Sequence, residues 1–255
     1  MTRLDRIKEE LLNRRSIGII ELSEELGVSH VTVRKDLDKL QEEGFLVKSH
    51  GMVLLSNKEM QESLSTDIFD EEEYFDEYAL AKLGSELVDD GDSIFIGAGV
   101  VCYLLSKFIL EKKNIRIVTN NINVVMLYKN SSNQIYFIGG EINNSTQIQY
   151  ASGNSDYNFL QGIYVKKAFF NVDGMDAQVG LTINDNSLVK LYQTIHGISK
   201  EVIVFGTKNN FEKIGIYQIG KLEFATSLIA SSDIGDKLKE VAFNSNIKLY
   251  TNYNI

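Results

Sequence analysis

The chain has 255 residues, 44% of them hydrophobic, with 26 Lys/Arg against 35 Asp/Glu and a formal charge of −9. That length accommodates two domains, and the apolar share is ordinary for a globular protein. No apolar run approaches the roughly 18 residues of a membrane span, and the acidic balance argues against a protein that wraps DNA by bulk basicity.

The N-terminal stretch MTRLDRIKEELLNRR is charged throughout and lacks the apolar core of a signal peptide. The single cysteine, Cys102, has no second thiol for an internal disulfide and lies among apolar residues, where packing is its expected role. Both features favour a cytoplasmic protein. The charge is unevenly spread. Residues 1–58 hold ten basic and ten acidic side chains, so residues 59–255, with sixteen and twenty-five, carry the whole excess.

Along the first segment, Leu4, Ile7 and Leu11 recur at helical spacing, as do Ile19, Leu22 and Leu26. Gly27 is placed to end the second helix and Ser29 to cap a third. Val33, Leu37 and Leu40 form one apolar stripe along that third helix, and Gly44 ends it. FLVKSHGMVLL then alternates loosely around Ser49-His50-Gly51, a turn between two short strands. Helix, helix, tight turn, helix and hairpin make up a winged helix-turn-helix.

On a wheel of about 100° per residue, Val31 falls about 160° and Lys35 about 200° from Val33, nearly opposite the stripe. An apolar side chain at the exposed start of a helix, with a cation one turn on, suits a DNA major groove. Val31 can touch a thymine methyl, Arg34 or Lys35 can take a guanine edge or a phosphate, and His30 and Thr32 can reach either. The helix N-terminus at Ser29 suits phosphate, and Lys48 and His50 on the hairpin suit the DNA backbone or minor groove. The competing reading is that Arg34 and Lys35 merely pair with carboxylates of their own helix, such as Asp38.

Between Glu59 and Ala81 stand nine acidic side chains and no basic one. This reads as a solvated spacer leading into a helix; a sharper reading is that its charge keeps DNA away from the second domain. The expected organisation is a DNA-binding domain over 1–57, an acidic linker over 58–77 and a second domain over 78–255.

The second domain alternates short apolar runs with amphipathic stretches. The runs are SIFIG (93–97), IRIVTNN (115–121), QIYFIGG (134–140), KKAFFNVDG (166–174), EVIVFGTK (201–208), SLIAS (227–231) and IKLYTN (247–252). Val100–Leu110 and Ile122–Lys129 are examples of the amphipathic stretches. This alternation implies an α/β fold with a largely parallel sheet. Ligands bind beyond the carboxyl ends of such strands. Here those ends hold Gly97-Ala98-Gly99, Thr119-Asn120, Gly139-Gly140, Asp173-Gly174 and Thr207-Lys208. Gly97 to Val101 leads into a helix, so its amides could hold an anion, although a plain tight turn explains the glycines equally well.

LGVSHVTVRKDLDKLQEEGFLVKSHG resembles the signature of the DeoR-type bacterial repressors at nearly every fixed position, and the likeness reaches back to about Arg3. Met52 stands where that signature has a second glycine. From about Tyr78 to Asn252 the blocks DDGDSIFIGAG, VTNN, FIGGE, AFFNVDGMDAQVGLT and VIVFGTK are similar to the DeoR-type sensor domain. The resemblance implies a Rossmann-like fold related to ribose-phosphate isomerases, binding phosphorylated sugars or similar metabolites. It places the effector site at Gly97, Ala98, Gly99, Val100, Val101, Thr119, Asn120, Gly139, Gly140, Asp173 and Lys208.

Three departures stand out. The family's D-S-G-T-T loop is Gly97-Ala98-Gly99-Val100-Val101, without either hydroxyl. Its acid in N-x-E-A-x-V-K is Asn186, and its D-S-S-K-F aspartate is Phe205. A pocket more apolar and poorer in donors than usual follows, anchored by Lys208, Asn120 and the loop amides, with only millimolar affinity for ordinary sugar monophosphates. The expected protein is a regulator of a carbohydrate operon, most simply a repressor. It binds double-stranded operator DNA and a sugar or sugar-phosphate effector, forms homo-oligomers, and needs no cofactor or metal. A sugar-phosphate isomerase or transferase on the same fold is the alternative, and the missing acids at 186 and 205 weigh against it.

Overall fold

The computed structural model describes residues 2–14, 16–49, 52–55, 69, 73–144, 147–153 and 157–252. His50, Gly51 and most of the acidic segment expected as a linker lie outside the described residues. The chain divides into two compact units, Met1–Asp70 and Glu71–Ile255.

In the first unit, helix α1 spans Arg3–Arg14, α2 Ile19–Leu26 and α3 His30–Glu42. Their apolar stripes meet in one core in which Ile7, Leu11, Leu22, Val33, Leu37 and Leu40 are fully buried. Gly27 closes α2 in the left-handed conformation (φ 64°) that a side chain would disfavour, and its amide bonds Glu24 O. Ser29 caps α3 by accepting from the Thr32 amide. After α3, Phe45 N–H returns to Leu40 O and seats Phe45 on the core.

Strands β2 (Leu46–Ser49) and β3 (Met52–Leu55) form the expected hairpin. A third strand, β1 (Ser16–Gly18), pairs antiparallel with β3, giving the order β1-β3-β2. Helical spacing from Ile19 concealed this strand, which has only three residues. Its central Ile17 is buried in the core.

The second unit begins with α4 (Phe75–Glu86). Seven strands follow in one sheet: β4 (Ser93–Ile96), β5 (Arg116–Thr119), β6 (Gln134–Phe137), β9 (Val165–Asn171), β12 (Ser199–Gly206), β14 (Ser227–Ser231) and β15 (Lys248–Asn252). Their order is β15-β14-β12-β9-β4-β5-β6, and every neighbouring pair is parallel. The seven apolar runs of the sequence are these seven strands. Helices α5 (Val100–Phe108), α6 (Ile122–Leu127), α7 (Val189–Gly197) and α8 (Asp236–Asn244) connect or flank them.

Central strands are buried on both faces, as a parallel sheet between helices requires. On β12, Val202 and Val204 join the large core that includes Leu191 and Ile195 of α7. Phe205 points the other way, stacks on Phe169 at 6.0 Å, and presses on Gly84 of α4, where a Cβ would lie 2.9 Å from its ring. Two smaller sheets had no clear signal in the sequence: the hairpin β7 (Glu141–Asn143) with β8 (Tyr150–Ser152), and the antiparallel set β10 (Gly174–Asp176), β11 (Gly180–Ile183) and β13 (Tyr217–Gly220). No helix among the described residues is long and apolar enough to cross a membrane.

Candidate functional site

In the first unit the candidate residues gather at the start of α3. Val31 is 66% exposed, although every apolar residue of the α3 stripe is buried. Arg34 and Lys35 are exposed on the same side, and neither forms an ion pair with a described residue. The competing reading, in which they serve carboxylates of their own helix, thus has no support in the geometry. Asp38 and Glu43 are engaged by Lys48 and Lys8. Asp36 is buried and takes the Arg3 guanidinium, which ties α1 to α3.

Two of the expected contact residues have structural duties. The Ser29 and Thr32 hydroxyls lie 2.9 Å apart in the cap, so Thr32 serves the helix end before any ligand. Lys48 on β2 pairs with Asp38 and pins the wing strand to α3. An exposed pair of this kind is worth about 0–1 kcal/mol, so exchanging Asp38 for another anion costs little. His30 is exposed at the first turn.

The second unit contains a cavity of about 600 Å³ at the carboxyl ends of the sheet strands. Ala98, Gly99, Val100 and Val101 form one wall. Gly99 has φ +112°, and a Cβ there would lie 2.6 Å from the Asn171 side chain, so only glycine lets the loop pass. Asn171 at the end of β9 accepts from the Cys102 amide at 3.2 Å, capping α5 from across the sheet. The Gly97 amide is already bonded to Phe169 O. The Val100 and Val101 amides remain in the open first turn of α5. Cys102 itself is fully buried, and burial pushes its thiol up to about 12, as its packing role requires.

The opposite wall is acidic. Asp185 accepts from Ser187 N at 2.8 Å, from the Tyr150 hydroxyl at 2.7 Å and from Asn143 Nδ2 at 3.3 Å. Burial works against its charge, but these hydrogen bonds outweigh it and hold the carboxyl below the usual range. Asp173 accepts the Asn184 amide at 2.7 Å through Oδ2. Glu77 of α4 also lines the cavity, and burial raises its pKa. Thr207, Asn209 and Asn210 complete the lining, with Thr207 Oγ1 2.8 Å from Asn210 Oδ1.

The structure brings Ala98 to Val101 and Asp173 together at this cavity, while the other expected effector residues stand apart from its lining. Thr119 is buried beneath it, donating to Ile96 O and accepting from Asn121 N. Asn120 clamps the hairpin by donating to Ala151 O. Gly140 lets the chain approach that hairpin; a Cβ there would lie 2.3 Å from Ser152 O. Asn120 and Gly140 thus support the hairpin that presents Asn143 and Tyr150. Gly139 does not reach the cavity.

Lys208 is 61% exposed and pairs with Asp76 at 3.5 Å, close enough to Glu77 to favour its charged form. Phe205 packs under α4, because alternation along β12 turns it from the cavity. The cavity is accordingly richer in carboxylates and carboxamides than the substitutions at 100, 101 and 205 suggested. Asp185, Tyr150, Asn143 and Glu77 had no signal in the sequence: Asp185 stands one residue before the altered family acid, and Tyr150 lies on a three-residue strand.

Two family models match the chain, one after the other along the sequence. The family model described as "DeoR-like helix-turn-helix domain" matches residues 3–59, and that described as "DeoR C terminal sensor domain" matches residues 76–232. A lactose phosphotransferase system repressor of Streptococcus mutans is 26% identical over 245 residues, covering 94% of this chain and 95% of its own. One from Staphylococcus epidermidis is 29% identical over 219 residues, covering 82% and 84%. Among solved structures, ribose 5-phosphate isomerase A of Methanocaldococcus jannaschii aligns with a TM-score of 0.39 at 16% identity, over 56% of this chain and 55% of its own. With both domain models matched in order and together spanning most of its length, the chain belongs to the DeoR family.

Proposed function

We propose that this protein is a cytoplasmic, sequence-specific DNA-binding regulator that represses a carbohydrate-metabolism operon, with a small metabolite in the α/β unit setting operator occupancy. The observation that carries the reading is the exposed Val31, Arg34 and Lys35 face of α3, opposite a fully buried stripe. An apolar side chain flanked by cations that pair with no described residue is poor surface chemistry but fits base edges in a major groove. The relatives named as lactose phosphotransferase system repressors support the carbohydrate context.

Homo-oligomerisation belongs to the same reading, since two recognition helices one or more DNA turns apart read a longer site. Control is thermodynamic: an effector that prefers the non-binding conformation lowers operator affinity by its differential affinity for the two states. Glu77 offers a route for this coupling, because α4 both lines the cavity and begins just after the segment that joins the two units. The protein is not a catalyst in this reading. Gel-shift titration on the DNA upstream of its own gene, with sugars and sugar phosphates added in turn, tests it. Release by one of these compounds is expected; steady turnover of a pentose or hexose phosphate by the purified protein, without operator binding, would overturn the reading.

A further inference from the structure

The seven-stranded sheet has β6 at one edge and β15 at the other, and the two edges differ in chemistry. Resting on the regulator reading for its need of two copies, we infer that β6 is the dimerisation edge of the second unit. It pairs antiparallel with β6 of a second copy about a two-fold axis at Tyr136, which joins two sheets into one. Among the described residues, β6 has a strand beside it only on the β5 side. The Gln134 and Ile138 amides bond Ile115 O and Thr119 O on that side. Alternation along the strand therefore turns the N–H and C=O groups of Ile135 and Phe137 to the free edge. Tyr136 is in register with Val118, which belongs to the core under α7, and Phe137 with Thr119 on the opposite face. One aromatic thus flanks the edge on each face, and they are 42% and 45% exposed.

Soluble proteins blunt open sheet edges with charge, proline or a bulge. The strand Gln134-Ile135-Tyr136-Phe137 has no charge and no proline, and its register with β5 is regular. From Ile117 to Gly140 the only charged side chain is Lys129, although residues 59–255 carry the whole acidic excess. Two acidic chains repel in bulk, so copies meet most easily where charge is absent. Helix α6, which leads from β5 to β6, adds an exposed Met126 beside the edge. The other edge is protected: β15 carries Lys248, and its Leu249 and Tyr250 are half-buried. The backbone also fixes how two copies meet. An antiparallel register that uses both outward residues sets Ile135 opposite Phe137 of the second copy, and Phe137 opposite its Ile135, each pair exchanging N–H···O bonds. Tyr136 then faces its own copy in the closely spaced, non-hydrogen-bonded position, and each Phe137 packs across from a β-branched Ile135. The same patch serves both copies, as a two-fold interface requires.

The test is sedimentation equilibrium on the full chain without DNA, at about 20 µM protomer, since association follows mass action. The wild type should sediment as a dimer or a multiple of one. Tyr136→Lys sets like charges opposite each other on the axis and should halve that mass, with circular dichroism and thermal melting unchanged. A covalent arm checks the register. The Cα atoms of a non-hydrogen-bonded antiparallel pair lie about 4.5 Å apart, within disulfide reach. Tyr136→Cys should therefore cross-link two subunits on mild oxidation and run as a dimer on a non-reducing gel. Ser132→Cys is exposed but roughly 20 Å or more from its copy in this register, and should not cross-link. The native Cys102 is buried and silent in both. A monomeric wild type, an assembly that Tyr136→Lys leaves at full mass, or cross-linking that does not distinguish positions 136 and 132 overturns the inference. The cysteine pair decides the matter should Tyr136→Lys fail to fold. Operator binding by the wild type is a separate readout: its absence counts against the regulator reading, whereas operator binding alongside an assembly that survives Tyr136→Lys counts only against this edge.

Discussion

Arg34 and Lys35 bring the account to single side chains. Both lie off the apolar stripe of α3, so truncating either leaves the core of Val33, Leu37 and Leu40 intact. Arg34→Ala and Lys35→Ala should each weaken operator binding by about 1–3 kcal/mol where the contact is bidentate to a base, with unchanged denaturant midpoints. Unaltered operator affinity in both variants would remove this helix from the groove. The face was legible because a helix of known phase with a buried stripe fixes what lies opposite it. Lys48 and Lys208 were less legible: charge is visible in a sequence, but its partner is not. Each found a carboxylate, Asp38 and Asp76, through tertiary placement that spacing does not encode. Asp185 and Tyr150 were missed for a related reason, because their cavity role arises only when the β7–β8 hairpin meets the end of β11.

At the scale of elements, the parallel sheet was readable because strands buried on both faces are short continuous apolar runs ending in Gly, Asn, Thr or Ser. The three-residue strands were not, since a period of two needs more residues to be seen. The sheet also holds an ionic clamp at the end away from the cavity. Buried Asp92, just before β4, takes Lys166 and Lys167 of β9, with Lys167 Nζ 2.8 Å from Oδ2. Burial opposes the Asp92 charge, but the hydrogen bonds from Lys166 and Lys167 prevail and lower its pKa. A folded pKa below the unfolded value means that this contribution is complete above the ordinary carboxylate range and is lost as pH falls through the folded pKa. Asp92→Ala leaves the Lys167 ammonium without its closest carboxylate, with Leu87 O and Asp89 Oδ2 still in reach, and should cost about 1.5–3 kcal/mol near neutral pH. Urea melts of the isolated unit or full chain should show that loss shrinking as pH drops below about 4; a pH-independent difference would mean that the effect is packing and not charge.

Over the whole molecule, the charge is segregated: residues 1–58 are neutral overall and the remainder carries the −9. Local positive charge on α3 can then meet phosphate while the rest of the chain has no bulk attraction to DNA. A dimer neutralising about six to ten phosphates should lose roughly 10³–10⁵ in affinity between 50 and 200 mM salt. A nearly flat salt dependence would show that another surface makes the contact. The central claim, that the first unit reads sequence, is tested most directly by equilibrium competition at fixed salt between the DNA upstream of the protein's own gene and scrambled DNA of equal length. The account predicts a preference of about 10³-fold or more for the upstream site, whereas equal affinity for the two would contradict it.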